Sequence, residues 1–95
     1  MRTIYKYPLG MAEKAVVSMP EGARIIRVDG VDGFLYLWAV VDTEAPVEDR
    51  EFHLFKTDSP MPDDINKKYN YLGCGGIYIQ MELMMYVWER GYAYK

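Results

Sequence analysis

Ninety-five residues, 51% of them hydrophobic and 26% charged, suit a single domain spanning 1–95, able to fold without metal or disulfides but with little room for a deep catalytic cleft. The net charge is −3 with acidic and basic residues interspersed, so no Lys/Arg stripe follows a phosphate backbone and nucleic acid is an unfavoured partner. The lone cysteine, Cys74, excludes an internal disulfide and fits a reducing cytoplasm, while the lack of a signal-peptide pattern or of an apolar run of about 20 residues leads us to expect no membrane partner.

Residues 4–7 read as a first strand closed by Pro8 and Gly10, and residues 14–19 as a second ended by Pro20-Glu21-Gly22. Residues 23–28 lead into Asp29-Gly30-Val31-Asp32-Gly33, whose glycines reverse the chain, so this strand should pair antiparallel with 34–41. That next strand is apolar on both faces. Phe34, Tyr36, Trp38 and Val40 point one way, and Leu35, Leu37, Ala39 and Val41 the other. The aliphatic set suits a core; the aromatic set needs a second cover, from the fold, a subunit or a ligand.

Residues 42–50 have loop composition, with Pro46 and a concentration of acids, before a strand pattern resumes at 51–57. Pro60 and Pro62 keep the following segment out of any ladder. Residues 63–68, acidic at the start and basic at the end, suit one helical turn. Strands at 69–72 and 77–81 then flank Gly73-Cys74-Gly75-Gly76, read as a tight turn or bulge, and residues 83–89 form the last strand, with a helix as the alternative. These elements predict a mainly β fold: a small antiparallel sandwich or barrel of six or seven short strands with at most one helical turn.

No catalytic constellation emerges, and we expect a non-enzyme without metal or cofactor. The glycine run lacks the Lys-Ser/Thr pair and the helix of a phosphate loop. Cys74 and His53 would form a dyad only if the fold brought them together, and the acidic pairs among 42–49 and 63–64 read as solvated loop charge. A small hydrolase using Cys74 or an acidic pair is therefore the least favoured function. Nine Tyr, two Trp and three Phe are the compositional outlier, and aromatic side chains are enriched both in sheets and at recognition surfaces. Tyr36, Trp38, Tyr86 and Trp88 are the candidate binding or interface residues: in one sheet they would form a continuous patch, either half of a sandwich core or the seat of a partner.

The opening Met1-Arg2-Thr3-Ile4-Tyr5-Lys6-Tyr7-Pro8-Leu9, followed by Met19-Pro20-Glu21-Gly22-Ala23, Leu37-Trp38-Ala39-Val40-Val41-Asp42, Pro60-Met61-Pro62, Tyr71-Leu72-Gly73 and Val87-Trp88, resembles a family of short uncharacterised phage and prophage proteins. The likeness spans nearly the whole chain, with departures at 56–59, where the family commonly carries Gly-Thr-Gly, and at Glu89, where it often carries His. The resemblance implies a phage accessory protein acting in the host cell cytoplasm, with no reaction to carry over. The expected function is binding of a host or phage protein, including interference with host defence, by a homo-oligomer. The alternative is a sponge for a nucleotide-type small molecule, with Tyr rings stacking a base and Arg24, Arg27 or Lys56 meeting phosphate.

Overall fold

A computed structural model describes residues 1–91. In chain order the elements are β1 (Arg2–Pro8), β2 (Lys14–Pro20), β3 (Arg24–Val31), β4 (Phe34–Asp42), β5 (Val47–Lys56), α1 (Ile65–Lys68), β6 (Tyr69–Tyr78) and β7 (Glu82–Arg90). The strands form two antiparallel sheets, ordered β1-β4-β3 and β2-β5-β7-β6, which stack as a small sandwich.

The two-residue period of β4 decides the core. Leu35, Leu37, Ala39 and Val41 are at most 1% exposed and meet Phe52, Leu54, Ile77, Met85 and Val87 of the other sheet. Burying a large apolar side chain contributes roughly 1.5–3 kcal/mol, so this single face of β4 is a principal source of cohesion. The β3–β4 hairpin closes through Asp32 and Gly33, at φ 53° and 84°, with Val31 opposite Phe34. Two successive left-handed residues match the right-handed twist of the flanking strands, which is why Asp-Gly is suited to this turn.

The β3–β4 turn is tighter than the expected reversal over 29–33, since Asp29, Gly30 and Val31 pair with β4 as part of β3, and three other boundaries also differ from the sequence-based expectation. β5 begins at Val47, because Val47–Arg50 pair with Val17–Pro20 of β2; only residues 43–46 are left to connect β4 to β5. Ladder pairing overrides the acidic composition there. Gly73-Cys74-Gly75-Gly76 does not separate two strands but lies inside the continuous β6, with a bulge between Tyr71 and Gly73. Glycine is required where β3 and β6 touch, at Gly30 and Gly75: a Cβ on Gly30 would fall 1.6 Å from the Gly76 carbonyl oxygen, and one on Gly75 would fall 2.7 Å from the backbone of Asp29 and Gly30. Lastly, the helical turn starts at Ile65 rather than at Asp63, with Lys68 3.3 Å from Asp64; residues 83–89 are strand, as expected.

β5 and β6 both run antiparallel to β7, so residues 57–68, which join them, must cross β7 to reach the far end of the sheet. Pro60, Met61 and Pro62 are exposed on this connection. At the other end, β5 buries Arg50, whose guanidinium makes two bonds to Glu89, Nε to Oε2 at 2.6 Å and Nη2 to Oε1 at 2.7 Å, and also donates to the Ala23 carbonyl. Among the described residues no helix is long and apolar enough to cross a membrane.

Candidate functional site

Since Leu35, Leu37, Ala39 and Val41 fill the core, Tyr36, Trp38 and Val40 stand on the outer face of the β1-β4-β3 sheet, half-buried and, among the described residues, with no further layer over them. Register places their neighbours. Lys6 of β1 and Arg27 of β3 lie opposite Trp38 on either side, Arg24 and Ile4 lie opposite Val40, and Arg2 lies opposite Asp42. The Arg27 guanidinium is 4.8 Å from the Trp38 ring centroid, and the Lys6 ammonium is 5.6 Å from that centroid and 4.1 Å from that of Tyr36. A cation over an aromatic face is attracted by the ring quadrupole, which pins two flexible side chains around the indole. Tyr36 and Trp38 are 6.3 Å apart.

Two carboxylates share this face. Asp29 accepts from Arg27 and from the Gly30 N–H, and the guanidinium bond above all holds its pKa below the ordinary carboxylate value. Asp42 accepts from the Glu44 N–H and lies 3.6 Å from the N-terminal ammonium, and it too is held low, chiefly by the Glu44 bond.

Tyr86 and Trp88 belong to the other sheet. β4 and β7 are never neighbours, and their outward faces look away from each other, so the expected continuous patch of Tyr36, Trp38, Tyr86 and Trp88 does not form. Neither pair lies in the sandwich core, because aliphatic side chains on the opposite face of each strand occupy it. Trp88 packs instead on Tyr71 at 5.2 Å, and Cys74, half-buried on β6, lies opposite Tyr86. Burial, followed by the contact with Cys74, raises the Tyr71 pKa. His53 meets Glu51 at 2.6 Å, Phe55 at 6.4 Å and Tyr69 at 5.0 Å. It stands on β5, with β7 between it and the β6 strand that carries Cys74, so the two do not assemble as a nucleophile and base.

The three cations expected to meet a ligand also divide. Arg24 and Arg27 stand on β3 beside the aromatic face of β4, whereas Lys56 ends β5 on the other sheet. There it lines a concavity of about 680 Å³ together with His53, Phe55, Pro60 and Tyr69. Two features escape a linear reading. Lys6 lies between two tyrosines in sequence, and only the β1–β4 register brings it over the rings of β4. Phe34, Tyr78, Ile79, Met81 and Met84 are scattered along the chain, yet all are exposed in or near the β3–β4 and β6–β7 hairpins, which the bond from the Tyr78 N–H to the Gly33 carbonyl joins at one end of the sandwich. The signal available in the sequence is the largely apolar run around 77–85, too long for one short strand.

No curated protein and no solved structure matches the chain. A family model described as Domain of unknown function (DUF7352) matches residues 1–93, so the chain, whose described residues form seven antiparallel strands in two sheets, belongs to that family.

Proposed function

We propose that the chain is a non-enzymatic binding protein that docks on another protein through the apolar end formed by the β3–β4 and β6–β7 hairpins. The observation that carries this reading is the exposure of Phe34 (54%), Tyr78 (63%), Ile79 (46%), Met81 (60%) and Met84 (45%). Large side chains bury about 150–250 Å² each, so five of them half-exposed leave on the order of 500 Å² of apolar surface in water, at the upper end of what monomers ordinarily tolerate. Methionine adds adaptability, since its unbranched thioether repacks around varied partners. The resemblance to phage and prophage proteins supplies the setting: an accessory protein in the host cytoplasm, acting on a host or phage protein in opposition to host defence, with a second copy of the chain as the simplest additional occupant of the same end.

A second reading is the nucleotide-type sponge, favoured by the concavity of about 680 Å³ in which Lys56, His53, Phe55 and Tyr69 converge. Its volume falls within the range of about 300–1,000 Å³ occupied by small ligands. Native mass spectrometry of protein purified from a bacterial host separates the two. The docking reading expects a retained protein partner or a second copy that Met81→Glu removes without lowering the melting temperature; a monomer that holds no protein in either form sinks it. The sponge reading expects a small adduct lost on denaturation and a melting temperature raised by millimolar nucleotide, and it fails if neither is seen.

A further inference from the structure

We propose that the outer face of the β1-β4-β3 sheet binds single-stranded nucleic acid, its bases displacing Lys6 and Arg27 from the faces of Tyr36 and Trp38 and its phosphates meeting these two cations together with Arg2 and Arg24. This surface adjoins the apolar end on which the docking reading rests, since Phe34 shares the outer face of β4 with Tyr36, but its cations lie toward the opposite end of the strand, beside Trp38, Val40 and Asp42. The sequence shows no basic run, yet the register collects four cations around two rings: Arg2 and Lys6 from β1, Arg24 and Arg27 from β3, facing Asp29 and Asp42. Four cations against two carboxylates leave this face positive in a chain whose net charge is −3. The concentration of positive charge on one sheet face, rather than the overall balance, governs attraction to a phosphate chain.

The arrangement fits a strand of nucleotides better than a free one. Neighbouring strands are about 4.8 Å apart, so Lys6 and Arg27 stand roughly 10 Å from each other across Trp38, and Arg2 lies about 13 Å from Lys6 along β1. That spread exceeds a single phosphate group. Among the described residues no further layer covers the face, so an extended strand can lay successive bases across Tyr36 and Trp38. A duplex is disfavoured, because its base faces are hidden from the rings.

The experiment is fluorescence polarisation of a labelled oligodeoxythymidylate with the wild-type chain. Three to four phosphate contacts at about 0.7 counterions each predict that raising salt from about 20 to about 200 mM weakens binding by roughly 100-fold to 1,000-fold. Arg24→Gln and Lys6→Gln are each expected to weaken binding and to lower the salt slope by about 0.7, and Tyr36→Ala to weaken it by about tenfold with the slope unchanged. All three positions lie on the sheet's outer face, and thermal melts of each variant show that the fold is retained. Absence of binding at low salt overturns the proposal. Equal displacement of the oligonucleotide by poly-L-glutamate overturns it in favour of an acidic polypeptide, and equal displacement by thymidine monophosphate in favour of a free nucleotide. Loss of protein capture in Met81→Glu with oligonucleotide binding intact would show that the two surfaces act separately.

Discussion

The Glu51 carboxylate lies 2.6 Å from His53 Nε2 and 3.2 Å from the Lys14 ammonium, and the hydrogen bond from His53, more than the lysine, holds its pKa below the ordinary value of 4.5. A carboxyl whose folded pKa is depressed contributes stability that is complete above 4.5 and is lost as pH falls through the folded value. Urea unfolding at pH 7 and pH 3 is therefore expected to show a smaller loss of stability in Glu51→Gln than in the wild type; an equal loss would show that this cluster does not contribute. The histidine is visible in the sequence as the partner of a possible dyad, but its real partners are not. A strand residue's neighbours across the ladder depend on register, and register involves residues far apart in the chain. The facing of Tyr36 and Trp38 shows the opposite case, because alternation along one strand is local and reads directly from the sequence.

At the scale of elements, the β3–β6 contact is the place where glycine has a specific use. Gly30 and Gly75 let two backbones touch, whereas a Cβ on the adjacent Gly76 would meet nothing within 4 Å. Gly75→Ala must push β6 away from Asp29 and Gly30, which on the scale of overpacking costs about 1–3 kcal/mol and lowers the melting temperature by several degrees at about 4–8 °C per kcal/mol. Gly76→Ala is expected to change it little. Equal melting temperatures for the two variants would remove steric closure as the reason for the glycine run. The turn at Asp32-Gly33 is legible because its chemistry is contained in two residues, whereas the run at 73–76 suggests a chain reversal because the strand pressing on it enters from elsewhere in the sequence. The same holds for β5, whose acidic first residues become strand only by pairing with β2.

For the whole molecule, Arg50 is the tie between layers. It is 6% exposed, bonds Glu89 within its own sheet, and reaches the Ala23 carbonyl at the entrance to β3 in the other. Removing one member of a buried pair leaves an uncompensated charge, so Glu89→Ala is expected to cost about 3–5 kcal/mol. Replacing both, as Arg50→Met with Glu89→Leu, should recover most of that loss while retaining a penalty of about 1–3 kcal/mol for the Ala23 carbonyl left without its donor. Denaturant unfolding of the three proteins measures this directly, and a double variant no more stable than Glu89→Ala would contradict it.

Side-chain alternation and turn chemistry, each contained within a few residues, already mark this chain as a β protein and show where most strands lie, where β3 turns into β4, and which face of β4 is buried. Which aromatic side chains come together is set by tertiary packing, which separates Tyr36 and Trp38 from Tyr86 and Trp88, places Lys6 and Arg27 on either side of one indole, and joins the two hairpins in or near which five exposed apolar side chains lie. Sheet membership is settled by which strands exchange backbone hydrogen bonds, and every backbone offers the same donors and acceptors, so the choice rests on packing summed over the entire chain.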